Sequence, residues 1–124
     1  MLVSVDQTVV GVYTGKGKNQ TFTETSSFTG GDTIVFRATV LDGNGVPVSN
    51  AKVTFTVTGP ENITITSGPS DASGLAEASW STSAPNKRGQ GGTTLGSYEV
   101  VVSDVVASGY LWDGNAIPQA FTIQ

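Results

Sequence analysis

The fold of this chain is decided by one stretch, which reads Ala38-Thr39-Val40-Leu41-Asp42-Gly43-Asn44-Gly45-Val46-Pro47-Val48-Ser49-Asn50-Ala51-Lys52-Val53-Thr54-Phe55-Thr56-Val57. Apolar and polar residues alternate on both sides of a centre made of Asp, Gly, Asn, Gly and Pro. An alternation with period 2 is typical of a strand that buries one face. Gly and Asn tolerate the positive φ of a tight turn, and Pro47 fixes the exit from it. The stretch therefore predicts two antiparallel strands joined by a turn.

The same alternation recurs on both sides of this stretch. It predicts buried faces for strands over 33–41, 51–58 and 97–104 and for a strand around Trp80, which follows the turn 70–74. A shorter strand over 62–67 has Ile63 and Ile65 as its inner pair, and the last strand covers 120–124. The residues expected inside are Ile34, Phe36, Ala38, Val40, Val53, Phe55, Val57, Ala76, Ala78, Trp80, Thr82, Tyr98, Val100 and Val102.

The remaining segments are less regular. The first strand, 2–13, changes the phase of its apolar residues near Val9 and Val10, which predicts a bulge or a switch between sheets. Residues 20–28 are rich in Thr and predict one weak edge strand, and 84–95 is the longest loop. Because seven to nine strands follow one another with no helical window, the sequence predicts an all-β, immunoglobulin-like antiparallel β-sandwich.

Length and composition indicate how the chain is organised. A chain of 124 residues fits one domain, 1–124, with an N-terminal strand and edge region over 1–29 and the core sandwich over 30–124. No basic segment of a signal peptide precedes Leu2. We therefore interpret Met1 as an added start residue, on a domain taken from a larger protein.

Several classes of function are excluded by residue types. The chain has no His and no Cys, which removes His-based and Cys-based nucleophiles, zinc sites with those ligands, and disulfides. A net charge of −4 with six scattered basic residues does not fit a nucleic-acid partner. No apolar run reaches the roughly 18–20 residues of a membrane span, so membrane insertion is not expected.

A family resemblance rests on the fixed turns and the strands beside them. The residues that carry it are Gly31-Asp32, 40–48, Ala51–Phe55, Ser70–Ala76 and Gly96–Val100. Over 31–104 the chain resembles the bacterial immunoglobulin-like domains of the invasin/intimin type. The tail 108–113 is similar to that of accessory modules appended to secreted bacterial hydrolases. The resemblance implies a sandwich whose turn residues are structural, a secreted or cell-surface location, and no catalytic residue.

Two patterns of acidic residues are candidate sites. Asp42-Gly43-Asn44-Gly45 begins like a calcium loop, but Val46 and Pro47 occupy positions 5 and 6, where an oxygen ligand and Gly are required. A turn is therefore the favoured interpretation, and a calcium ion held jointly by Asp42, Asp71 or Asp113 stays open. An acid/base pair chosen among the glutamates would need a cleft that nothing in the sequence indicates. Those glutamates are Glu24, Glu61, Glu77 and Glu99. The chain is therefore predicted not to be an enzyme. Apart from the calcium ion, no cofactor is predicted.

One aromatic pair is the candidate contact site for a partner or a glycan. Tyr110 and Trp112 are i, i+2 neighbours and share a strand face. Exposed rings at this spacing can stack on sugars, whereas buried rings would close one end of the core, which is the favoured alternative.

Two functions follow as hypotheses. The first is a non-catalytic spacer or accessory module of a secreted or cell-surface bacterial protein, with neighbouring domains of the parent protein as partners. The second is an adhesion module that binds a carbohydrate or a host or matrix surface.

Overall fold

The computed structural model describes residues 2–15 and 17–124. Met1 and Lys16, with the interpretation placed on Met1, lie outside the described residues. The strands are β1 (Leu2–Thr14), β2 (Thr21–Glu24), β3 (Ser27–Phe28), β4 (Thr33–Asp42), β5 (Lys52–Thr58), β6 (Ile63–Thr66), β7 (Leu75–Ser81), β8 (Gly96–Val106), β9 (Leu111–Trp112) and β10 (Gln119–Ile123). Sheet A has the order β2-β1-β4-β7 with β9 beside β1, and sheet B has the order β3-β10-β8-β5-β6.

The core is the layer between the two sheets. Every residue expected inside on β4, β5 and β8 is buried, as are the alanines of β7. Trp80 is half-buried and packs against the core from its edge, and Ile63 and Ile65 do the same from the edge strand β6. Each large side chain removed from water contributes about 1.5–3 kcal/mol, so this layer is the main source of stability.

Four aromatic rings occupy the middle of that layer. Phe36 lies between Phe55 and Phe121, with ring centroids 5.8 and 6.0 Å apart, and Tyr98 stacks on Phe121 at 5.5 Å. These four rings, Phe36, Phe55, Phe121 and Tyr98, are named here the inner aromatic layer. They come from both sheets, so they hold the sheets together.

The two predictions for the N-terminal segment compare differently with the structure. The register of β1 against β4 shifts between Val5 and Gln7, so β1 contains a bulge, but it lies before Val9 and Val10, where the sequence placed the change of phase. Residues 20–28, however, form two strands rather than one. β2 pairs antiparallel with β1 in sheet A, and β3 pairs parallel with β10 in sheet B. The chain changes sheets because Phe28 is buried against Phe121, 5.7 Å away between ring centroids.

The strand directions define two ends of the sandwich. The N-terminal end contains Leu2, the turn 42–51, the loop 67–74 and the segment 107–113. The C-terminal end contains 17–20, 29–32, 59–62, 82–95 and Ile123, which lies opposite Gly96. The described chain thus enters the sandwich at one end and leaves it at the other.

A hydrogen bond from a core tyrosine marks the C-terminal end. The hydroxyl of Tyr98 donates to the backbone carbonyl of Thr94, four residues upstream. A tyrosine near the start of a strand that bonds back to the preceding corner is a hallmark of immunoglobulin-like sandwiches. Together with the two packed sheets, it confirms the predicted fold class. Eight strands of four or more residues are accompanied, in the part of the chain described, by the two-residue strands β3 and β9.

Candidate functional site

The predicted aromatic contacts close one side of the N-terminal end. β9 runs parallel to the start of β1, and the backbone N–H of Asp113 donates to the carbonyl of Val3. Tyr110 and Trp112 are both half-buried and pack against the core. The structure therefore brings them together with the core, as in the alternative in which they close it. Their contact with a glycan or partner stays a prediction.

Two matching turns form most of the N-terminal end. The Asp42 carboxylate accepts the backbone N–H of Asn44 and Val46, at 2.8 and 3.0 Å. The Asp71 carboxylate accepts those of Ser73 and Leu75 at 2.9 and 3.0 Å. A side chain that bonds its own backbone in this way fixes the turn.

The two turns also pack against each other. Gly74, with φ +78°, lies so close to Val40 and Pro47 that an added Cβ would be 2.5 Å from the Val40 carbonyl oxygen. Glycine is therefore required at this position by both its φ and its surroundings. The contact fixes the second turn against the first.

A third turn of the same kind lies within the long loop at the C-terminal end. The Asn86 side-chain oxygen accepts the N–H of Arg88 and Gln90 at 2.9 and 3.0 Å, and the N–H of Gly89 donates to the Asn86 carbonyl. The sequence prediction missed it, although the pattern Asp/Asn-x-x-Gly occurs at all three places. The residues at its tip are Lys87 and Arg88, so this turn presents two cations to solvent.

The candidate calcium ligands are each engaged in a separate turn. The Asp113 carboxylate accepts the N–H of Asn115 at 2.9 Å, as Asp42 and Asp71 do in their own turns. Among residues 2–15 and 17–124, no group of three or more acidic side chains is placed to hold a metal. The calcium ion stays a prediction.

Two of the candidate carboxylates for an acid/base pair lie on opposite faces of the sandwich. Glu77 points outward from sheet A and Glu99 outward from sheet B, so the whole sandwich separates them. An open groove of about 600 Å³ lies beside Tyr13, but the carboxylate that lines it, Asp32, accepts the backbone N–H of Thr29. Neither place brings two carboxylates together over a cleft.

A cluster on the outer face of sheet A was not anticipated from the sequence. The guanidinium of Arg37 lies 3.9 Å from the centre of the Phe22 ring, its Nε donates to Glu77 at 3.0 Å, and its NH2 donates to the Tyr13 hydroxyl at 2.8 Å. The Tyr13 hydroxyl in turn donates to Glu77. Tyr13, Phe22, Arg37 and Glu77 are named here the outer cluster.

One glycine makes the outer cluster possible. A Cβ on Gly11 would lie 2.6 Å from the Phe22 ring and 2.3 Å from the Thr23 carbonyl oxygen. The absent side chain lets Phe22 lie flat on β1, where Arg37 covers it. A glycine inside a strand marks such a close approach, which is the signal that could have revealed the cluster.

Two groups among the described residues have shifted pKa values. Burial lowers the pKa of Arg37, but the hydrogen bonds that its guanidinium donates to Tyr13 and Glu77 outweigh it, so that the pKa is raised and the charge is permanent. Burial, reinforced by the negative charge of Glu61, raises the pKa of the Tyr98 hydroxyl. Neither shift prepares a nucleophile or a general base, because both groups are held further in the protonated form.

The two sheets and the tyrosine corner define an immunoglobulin-like β-sandwich. The sequence profile of the family Bacterial Ig-like domain (group 1) matches residues 19–108, and the chain belongs to this family. A search of the curated proteins gave no match. The strands β1 and β10 lie outside the matched residues, yet β1 occupies the interior of sheet A and β10 the interior of sheet B.

The family assignment carries a coarse statement of role. Domains of this family are generally non-catalytic modules, and they typically occur in surface or secreted proteins. Within the described residues, no helix is long and apolar enough to cross a membrane.

Proposed function

We propose that this domain is a non-catalytic spacer of a secreted or cell-surface bacterial protein. In this role it holds the neighbouring domains of that protein at a fixed separation. The observation that carries the proposal is the placement of Leu2 and Ile123 at opposite ends of the sandwich. A neighbour joined at each end would be separated by the length of β1, which is about 40 Å at about 3.4 Å per residue.

Stiffness along that axis comes from the strands that carry the two ends. β1 is paired with β4 over most of its length, and β10 is paired with β8 over five residues. The inner aromatic layer joins these two sheets. Bending the module would separate close-packed rings, which costs several kcal/mol even for a small gap.

The spacer proposal is tested by the distance that the domain imposes. Two fluorescent reporter domains are joined to its two ends, and the distribution of their separation is measured by single-molecule energy transfer. We expect a narrow distribution that is unchanged up to the denaturant concentration at which the domain unfolds. The control replaces the domain with a Gly/Ser linker of equal length, whose distribution is broad. A distribution as broad as that of the control would overturn the proposal.

The carbohydrate-binding alternative receives less support. It needs exposed rings, and Tyr110 and Trp112 are half-buried against the core. A glycan array compares the domain with Trp112→Ala and Tyr110→Phe variants that melt as single transitions. Glycans that the wild-type domain binds and the Trp112→Ala variant does not bind would favour adhesion over the spacer role.

A further inference from the structure

The N-terminal end carries most of the exposed apolar residues of the sandwich. Leu2 and Leu111 are partners across β1 and β9 and are 55% and 73% exposed. Val46 and Val106 lie at the same end and are 52% and 61% exposed. Of the seven large apolar side chains exposed in the described chain, four therefore lie at this end. Leu2 and Leu111 are adjacent, and contiguous exposed aliphatic groups are typical of a contact surface.

The charges around this surface have one dominant sign. Four aspartates, Asp42, Asp71, Asp104 and Asp113, accompany Lys52 there. The carboxylate groups are held in place by hydrogen bonds from backbone N–H groups, so the negative field has a fixed geometry. A partner for this end must offer cations beside an apolar group.

The opposite end of the same molecule offers both. The turn at Asn86 projects Lys87 and Arg88, and Lys18 is exposed on a 3-10 turn at the same end. Leu95, at the end of the same loop, is 53% exposed. The acidic residues at this end are Asp32, Glu61 and Glu99, and the first two accept the N–H groups of Thr29 and Thr94.

We propose that the N-terminal end binds the C-terminal end of a second copy of this chain, head to tail. The Lys87–Arg88 tip of one copy then lies among the aspartates of the next, and Leu95 lies against the Leu2–Leu111 pair. The biological use of this contact rests on the spacer proposal. Where two copies follow each other, the contact would fix the angle between them and so deepens that proposal. A head-to-tail contact that does not close into a ring gives open-ended association.

Sedimentation of the isolated domain tests this contact. We expect the sedimentation coefficient to rise with concentration up to about 1 mM at low ionic strength, beyond the value of a dimer, and the rise to shrink at 0.5 M NaCl. The double variant K87E/R88E should lower the association constant at least about tenfold. The variant D71K should do the same. Mixing the two variants should restore open-ended association in which they alternate, because each junction between different variants pairs opposite charges.

A matched pair of variants tests the apolar part. Leu111→Asp is expected to abolish association, whereas Ile117→Asp should leave it unchanged, because Ile117 is equally exposed at 73% but lies along the side, by Val5–Thr8. Both variants are checked for unchanged melting temperature.

Three results would overturn the head-to-tail contact. They are a wild-type domain that stays monomeric throughout, association that survives in both K87E/R88E and L111D, and a Lys87–Arg88 tip that binds dextran sulfate while the domain remains monomeric. A domain that stays monomeric in sedimentation but gives a narrow separation in the energy-transfer experiment would keep the spacer and remove only this contact, so the two failures are distinguishable.

Discussion

The inner aromatic layer and the outer cluster hold the same sheet by different forces. Phe36, in the first, has no exposed surface and touches rings from the facing sheet. Phe22, in the second, is half-exposed and is covered by the guanidinium of Arg37 and by the edge-on ring of Tyr13. Burial scales with apolar area, whereas a stacked cation contributes a smaller, directional term. The difference teaches that the two sheets are joined by the inner layer, and the edge strand β2 is attached by the outer cluster.

The largest effect is expected at the centre of the inner layer. Phe36→Ala removes a ring from a site with no exposed surface and leaves a cavity, so we expect a loss of about 3–5 kcal/mol in the free energy of unfolding. Phe22→Ala is the counterpart in the outer cluster and should cost about 1–2 kcal/mol, because it removes half-buried area and one stacked cation. Urea unfolding followed by tryptophan fluorescence measures both. Equal losses of stability in the two variants would contradict the larger contribution assigned to the inner aromatic layer.

A smaller effect is expected from filling the space under Phe22. Gly11→Ala places a Cβ against the Thr23 carbonyl, so β2 must move away from β1, at a cost of about 1–3 kcal/mol. Hydrogen exchange should speed up across Thr21–Glu24 and stay slow across β4. Gly68→Ala is the matched control, because a Cβ there meets nothing within 4 Å. Unchanged exchange in β2 would show that the close approach does not matter.

The interactions of Arg37 in the outer cluster should contribute about 1 kcal/mol to the free energy of unfolding. This contribution should have two parts that can be measured separately. A double-mutant cycle between Arg37→Met and Phe22→Leu measures the stacking, and one between Arg37→Met and Glu77→Gln measures the ion pair. The ion pair is partly exposed, so its coupling should fall in 1 M NaCl, while the stacking coupling persists. If salt removes both couplings equally, the stacking interpretation is wrong.

The smallest effect belongs to the polar tip of the inner layer and depends on pH. The pKa of Tyr98 is raised by burial, so its contribution to stability is complete below the unfolded-state value of about 10 and is lost as pH rises through the folded-state value. Tyr98→Phe should cost about 1 kcal/mol at pH 7, through the lost bond to Thr94, and should reduce the decline of stability above pH 10.

Thermal melts from pH 7 to 11 measure this dependence. Tyr110→Phe serves as the control, because that ring lies at the N-terminal end and has no part in the tyrosine corner. An alkaline decline that is the same in all three proteins would assign the loss to other groups.

Three of the four rings of the inner layer could be predicted from the sequence because they follow the local alternation, whereas Phe121 was predicted only to lie in the last strand. Each strand presents every second residue to the core, so Phe36, Phe55 and Tyr98 were expected inside without knowledge of the strand order. The turns at Asp42 and Asp71 were predictable for the same reason, since their hydrogen bonds stay within five residues.

The outer cluster could not be predicted in this way. Its members come from β1, β2, β4 and β7, and their proximity depends on sheet order, which the alternation does not encode. From the sequence, Glu77 was only one of four candidate carboxylates for that reason. The split of 20–28 between two sheets was missed likewise, because Phe28 finds its partner on a strand almost a hundred residues later. The turn at Asn86 is a different case, since its pattern was present but was carried by Asn instead of Asp.

The placement of Leu2 and Ile123 has a mechanical consequence. A pull between these residues acts along the strands, so it loads the hydrogen bonds of β1 with β4 and of β10 with β8 in shear, many at once. A force that must break many bonds together meets a higher barrier than one that opens them singly, and forced unfolding is governed by that barrier. The domain should therefore resist tension better than a sandwich whose strand hydrogen bonds open one at a time. It should unfold first at β10, because β10 has fewer paired residues with β8 than β1 has with β4.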